Sequence, residues 1–349
     1  MMKKYENQLS KMRESNIELL RIVSMILVMI VHADYVSLGP PTQTDISNSF
    51  LYSFTRGFIE AVSAICVNVF ILISGWFGIR YKTERIFCLL FQVLFISLFL
   101  YCVLYAFGLV GAQSIKEWKA LFMMKNTAYW FVRAYLVLYI FAPVLNSFVE
   151  KCDQNVIEVF LVGFFIIQSL YGVYDSDSWF SGGYSALSFM GIYILARYLK
   201  LYSIFLIKMN SIIIISLFVL LSVVISLLSL ASTFFFGMDG TLLYLYSSPL
   251  MIINSILFFS FFLKLSLKSF IINNISLSCF AIYLVHCSQF VFRPFYVDKI
   301  IYWNSNESTP LFLLYTTILI CTIFIGALLI DRIRLIAWKY TVNQLFHRR

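Results

Sequence analysis

Residues 16–38 read NIELLRIVSMILVMIVHADYVSL, and this stretch decides how the rest of the chain is read. It is long enough to cross a bilayer, since a span takes about 20 apolar residues. Two ionisable side chains sit inside it, Arg21 and His32. At about 100° per residue their separation returns to nearly the same helix face, and it sets them about 16.5 Å apart along the axis. A charge within a membrane helix is costly and usually faces a bundle interior or a watered cavity. A guanidinium low on the stripe and an imidazole high on it predict a site with depth.

The remainder of the chain has the same character. Of 349 residues, 61% are hydrophobic and only 12% are charged, which leaves room for many spans and no separate soluble domain. The basic start followed by an apolar run resembles a signal peptide. The run is longer than a signal core and carries Arg21 and His32, so an uncleaved span is expected. The predicted fold is all-α, a polytopic membrane bundle of ten helices at 17–38, 57–79, 86–111, 129–149, 156–173, 184–199, 211–236, 244–263, 275–296 and 311–330. One domain is expected over 1–349, with a cytoplasmic arm at 1–16, the bundle at 17–330 and a basic tail at 331–349 lying along the inner surface. With the N-terminus inside, basic residues concentrate in the inner connections, among them Arg80, Lys82, Arg85, Arg197, Lys200 and Lys208. The outer connections hold Arg56, Lys116, Lys119, Lys125, Arg293 and Lys299. The asymmetry predicts both termini in the cytoplasm. It also accounts for the net charge of +9 through topology and anionic lipid, so nucleic acid is not an expected partner. The outer connection at 112–128 contains Trp118 and reads as an interfacial amphipathic turn; the connection at 173–183 carries two aspartates and a Gly-Gly pair.

Seven cysteines without a CxxC pair read as small apolar packing residues, and three histidines (His32, His286, His347) are too few for an expected zinc cluster. His32 in the outer half of the first span is the leading candidate general base, because a neutral imidazole can take a proton from a hydroxyl near neutral pH. A buried, hydrogen-bonded packing histidine is the alternative. Such a base needs an orienting acceptor. Asp34 points to the other side of the helix, whereas Glu60 lies at matching depth on the second span and is either that acceptor or an interfacial carboxylate. Arg21 is either functional, a snorkelling anchor, or the partner of Glu18. Arg133, about one turn inside the fourth span, either meets acceptor oxygens or pairs with Glu60 or Asp34.

An arginine, ten residues and a histidine in the first span, within ESNIELLRIVSMILVMIVH, resemble the opening of the membrane acyltransferase-3 family. Further likeness runs through Val69–Phe77 of the second span, with Ser74 and Gly75. It continues through Trp130, Phe131, Tyr135, Tyr139, Pro143 and Asn146 of the fourth span, the end of the sixth, and Tyr283 and His286 of the ninth. Altogether it extends from about Ser15 to Arg332. The resemblance implies an integral-membrane O-acetyltransferase using acetyl-CoA as donor substrate, with no permanently bound cofactor and no metal. His32 and Glu60 would be catalytic. Arg21, Arg80, Lys82 and Arg85 would hold coenzyme A phosphates, Arg85 matching a family arginine although the proline that often follows is absent. Arg133, Trp130, His286 and Tyr283 would face the acceptor. The acceptor would be a surface or capsular polysaccharide or its lipid-linked precursor, at the plasma or inner membrane, with lipids and polysaccharide-assembly proteins as partners. The extra hydrolase-like domain of many family members is not expected in this sequence. The rival readings are a transporter or flippase for lipid-linked saccharides, and a polysaccharide polymerase.

Overall fold

In a bilayer every backbone N–H and C=O must find a partner within the protein, and the long apolar runs meet that demand as helices. The computed structural model describes residues 14–111, 129–174, 179–203 and 208–341, and it contains no strand among them. The helices in order are α1 Ser15–Ala33, α2 Tyr35–Leu38, α3 Gln43–Asn48, α4 Phe50–Ser63 and α5 Cys66–Phe77. They continue as α6 Thr83–Ala106, α7 Trp130–Lys151, α8 Gln154–Tyr174, α9 Ala186–Tyr202 and α10 Ser211–Phe236. The last are α11 Pro249–Leu263, α12 Phe270–Ser276, α13 Cys279–His286, α14 Asp298–Asn306 and α15 Thr309–Tyr340.

Among the described residues, eight stretches are long and apolar enough to cross a membrane: Ser15–Leu38, Phe50–Phe77, Thr83–Ala106, Trp130–Lys151, Gln154–Val173, Ser211–Phe236, Gly240–Leu263 and Thr309–Tyr340. The two other expected spans are helical but shorter. The sixth is α9, of 17 residues. The ninth, expected as one helix over 275–296, is broken into α12, α13 and a wide π-type turn at Phe292–Val297. At the first break the Ser278 hydroxyl donates to Asp331 Oδ2 (2.7 Å), and Pro294, which has no N–H, lies within the π-type turn.

Helix α1 is the hub, packing against α4, α5, α11, α12, α13 and α15. Buried polar groups pin its first turn. Asn16 Nδ2 donates to the Phe262 carbonyl (3.0 Å), and the Ser269 amide donates to Ser15 Oγ (2.9 Å). At its other end α1 stops at Asp34, whose backbone leaves helical geometry and whose carboxylate takes Arg56 Nε at 2.6 Å. The second span starts seven residues earlier than expected, because Ser49 caps α4 by accepting from the Tyr52 amide. Arg56 therefore sits inside a helix and is buried, and is not a solvated loop charge. Where α4 passes to α5, Asn254 Nδ2 donates to the Ala61 carbonyl (3.2 Å), supplying a donor at the break.

Close helix contact explains Gly75. A Cβ there would stand 2.5 Å from the Tyr193 carbonyl and 2.7 Å from Ala196 Cβ, so α5 and α9 touch backbone to backbone. The chain then turns at Gly78, with φ of 73°, into the basic connection that leads to α6. Side chains from α7 and α9 hold that connection. Tyr193 Oη accepts from the Ile79 amide (2.8 Å) and donates to Asn146 Oδ1 (2.7 Å), Asn146 Nδ2 donates to the Ile79 carbonyl (3.0 Å), and Tyr139 Oη accepts from the Lys82 amide (2.9 Å). The fourth-span residues Tyr139 and Asn146 thus set the path of the segment bearing Arg80, Lys82 and Arg85.

The last helix, expected to end at residue 330, continues to Tyr340, so residues 331–340 extend α15. Arg334, read as an inner-surface charge, is buried and donates through Nε and Nη2 to Asp331 Oδ1 (2.9 and 2.8 Å). The connection at 112–128 with Trp118, the aspartates of the 173–183 connection, the first thirteen residues and His347 lie outside the described residues.

Candidate active site

Along α1 the residues Arg21, Met25, Val28 and His32 recur at intervals of four, three and four, one stripe of a 3.6-residue helix. That stripe forms a wall of a cavity of about 530 Å³. The opposite walls come from α5 (Cys66, Phe70, Ser74), the start of α6 (Arg85, Leu89, Gln92), α7 (Trp130, Phe131, Tyr135) and α13 (Cys279, Phe280, Tyr283). Tyr184 and Tyr246 complete it beside Trp130, with ring centroids 4.6 Å (Trp130–Tyr184) and 4.7 Å (Tyr184–Tyr246) apart. The cavity falls in the size range of pockets that take small molecules, and it is largely apolar with a few placed polar groups.

Those polar groups separate by depth. Arg85 lies in the first turn of α6 and Arg21 in the second turn of α1. Arg21 Nη1 is held by Glu18 Oε1 at 2.9 Å and stays one-third exposed (32%). About 16.5 Å further along α1 is His32. Its Nδ1 lies 2.8 Å from Nε2 of His286, with the rings 24° from parallel. His286 is completely buried at the C-terminal end of α13. The π-type turn closes over this pair: the Phe292 ring meets both imidazoles edge-on, Tyr296 packs on His286 with centroids 4.3 Å apart, and Tyr296 Oη donates to the Met29 carbonyl (2.6 Å). Wide turns of this kind recur at functional sites. The Ser37 hydroxyl donates to the His32 carbonyl (2.6 Å) and steadies the end of the helix.

The expected residues thus divide. Arg21, His32, Arg85, Trp130 and Tyr283 border one cavity, and His286 supports His32 from behind. Arg80 and Lys82 are exposed on the connection outside it. Arg133 is exposed on α7 and is not the partner of Asp34, which belongs to Arg56. Glu60 is 5% exposed beside the Arg56–Asp34 pair, and its Oε2 has no hydrogen-bond partner among the described residues. The nitrogen of His32 that it was expected to orient is taken by His286.

Chemically, a neutral imidazole with one nitrogen fixed by a neighbour and the ring bordering a cavity can accept a proton from a bound hydroxyl. Two arginines toward the other end can hold phosphate oxygens. The role of His286 had only a weak sequence signal, its place near mid-membrane in a Tyr-Leu-x-His run. Tyr184 and Tyr246 had none, because loop tyrosines are common.

A family model for the acyltransferase domain, acyltransferase-3, matches residues 14–332, from just before α1 to within α15. The comparisons with curated proteins and with solved structures returned no match. The matched range takes in every residue that borders the cavity, together with the multi-pass helical bundle around it. The chain belongs to the acyltransferase-3 family, and it is a membrane acyltransferase.

Proposed function

We propose that this acyltransferase moves an acetyl group from acetyl-CoA to a hydroxyl of a surface or capsular polysaccharide, or of its lipid-linked precursor, at the plasma or inner membrane. The supporting observation is that Arg21, Arg85 and His32 border one continuous cavity with the arginines toward one end. An extended pantetheine arm, on the order of 15–20 Å by chain geometry, is commensurate with the stripe from Arg21 to His32. In this reading both termini are cytoplasmic and the phosphates of coenzyme A rest at Arg21 and Arg85, with Arg80 and Lys82 nearby on the inner surface. The arm lies along α1 and brings the thioester to His32. The acceptor sugar enters at the other end against Trp130, Tyr184 and Tyr246, whose ring faces suit the C–H faces of a sugar.

His32 acts as base through Nε2. That requires its hydrogen on Nδ1, where it is donated to His286 Nε2, so His286 selects the tautomer and holds the ring. The hydroxyl oxygen attacks the thioester carbonyl as its proton passes to Nε2. The tetrahedral intermediate collapses, the C–S bond breaks, and the departing sulfur takes the proton back. An ester and free coenzyme A result, and His32 is regenerated. Attack by His32 itself, with a transient acetyl-imidazole, would use the same groups.

The test is acetyl transfer from labelled acetyl-CoA by the purified protein in lipid nanodiscs, paired with mass spectrometry of the surface polymer from cells with and without it. A gain of one acetyl mass on modified sugars is expected. A polymer that is absent or unpolymerised without the protein, and never acetylated with it, would point to a flippase or polymerase and overturn the proposal.

A further inference from the structure

We propose that His32, His286 and Cys287 form a binding site for a zinc-like transition-metal cation, and that its occupancy silences the enzyme. One ligand atom from each side chain lies within 4.8 Å of the other two. His32 and His286 come from residues 254 apart in sequence, and the α13 end that delivers His286 delivers Cys287 with it. Histidine counting alone gave no reason to expect a metal site, yet the fold gathers two of the three histidines and adds a thiol.

The imidazole pair needs little change, whereas the Cys287 sulfur, within 4.8 Å of both nitrogens, must come to roughly 3.6 Å from each. Zinc bonds imidazole nitrogen at about 2.0–2.1 Å and thiolate sulfur at about 2.3 Å, so two nitrogens on one tetrahedral ion stand roughly 3.3 Å apart. The present separation is 2.8 Å, a hydrogen bond that opens by a few tenths of an ångström. Two imidazoles and a thiolate favour zinc or copper(I) over magnesium and calcium, which prefer oxygen. His32 borders the cavity, which gives the ion a path in and lets a water complete its shell. Phe292 and Tyr296 wall the other side with rings that keep competing water away.

Protons balance simply. Each imidazole stays neutral, its single hydrogen on the nitrogen turned from the metal, and Cys287 releases its proton to cavity water. His32 bound through Nδ1 then carries its hydrogen on Nε2 and has no lone pair left for an incoming hydroxyl. The site rests on the cluster alone; the silencing rests on the proposed general-base role of His32.

The experiment uses the full protein in nanodiscs with cobalt(II) as optical probe and zinc as inhibitor. Wild type is expected to show thiolate-to-cobalt charge-transfer absorption in the near ultraviolet, and Cys287→Ser and Cys287→Ala are expected to lose it. Both variants keep acyl transfer without metal, because the Cys287 thiol is not used in the reaction. Loss of even an outer-shell partner costs metal affinity 10–100-fold, so zinc inhibition should need at least roughly tenfold more metal in either variant. Two substitutions are used so that a poorly folding one leaves the other as the test. Absence of a Cys287-dependent cobalt band overturns the site. A band without zinc inhibition overturns the silencing, and full activity of His32→Ala separately identifies failure of the general-base reading.

Discussion

The two ends of the α1 stripe treat buried polar groups in opposite ways. Near the arginine end, Asp331 is completely buried and fully engaged, accepting from Gln92 Nε2 (3.0 Å), Ser278 Oγ (2.7 Å) and Arg334. That node ties α6, α15 and the break before α13 together directly behind the cavity residue Gln92. At the histidine end, Nδ1 of His286 and Oε2 of Glu60 are buried without a hydrogen-bond partner among the described residues. A satisfied buried network rigidifies its surroundings, whereas an unpartnered polar atom costs about 1–3 kcal/mol and calls for a reason. The difference teaches that one end is built to hold position and the other to change its protons.

The largest effect should come from breaking the histidine end. His32→Ala is expected to lower kcat by roughly 10²–10⁴, the usual worth of a general base, with membrane insertion near wild type. Labelled-acetyl transfer measured beside a thermal melt in detergent checks it, and retention of full activity sinks the mechanism. Breaking the arginine end should do the reverse. Asp331→Ala leaves the Arg334 guanidinium buried and unpaired, a loss of roughly 3–5 kcal/mol, so a marked fall in melting midpoint is expected. An unchanged midpoint would mean that this node is not what holds the end rigid.

The donor site is probed by Arg85→Ala and Arg21→Ala. Loss of a charge-assisted phosphate contact costs roughly 1.5–3 kcal/mol and should appear as a higher KM for acetyl-CoA with kcat little changed. Arg85 should show the larger rise, because Glu18 already occupies part of the Arg21 guanidinium. Titration of acetyl-CoA at saturating acceptor decides it; unchanged KM in both variants ends the idea that the arm lies along α1, even with His32 catalytic.

How much of this was legible in the sequence depends on whether a relation is local. Arg21 and His32 share a face because helix periodicity fixes it within one segment, whatever the tertiary packing. Glu60 was placed by its distance from an expected span start at 57, whereas the helix begins at Phe50, and the direction it points depends on how α4 turns against its neighbours. The pairing of His32 with His286 joins residues 254 apart across a broken helix, and no pattern within either segment encodes it. Asp331 and Arg334 stand three apart and were visible as a helical pair, yet basic residues near a span end read first as topology. Arg56 was hidden by the polar text of residues 42–49, which reads as a loop although Thr42 and Asp45 form a capping box and Ser49 starts the next helix.

Glu60 is the sharpest test of the comparison, because it belongs to the histidine end by position and not by contact. Beside it stand the Asp34 carboxylate and the Arg56 guanidinium that is already bound to Asp34. Glu60→Gln keeps the shape and leaves the Arg56–Asp34 bond intact. If His286 alone orients His32, the substitution should change stability by no more than about 1 kcal/mol and leave kcat and its pH profile close to wild type. The smallest effect of the series is therefore expected at a buried carboxyl, where the largest would be guessed from burial alone. A collapse of kcat in Glu60→Gln with an unchanged melting midpoint would show that the proton leaves through the carboxyl. The unpartnered Oε2 would then be part of the chemistry, and the His32–His286 pair would be only half of the outer end.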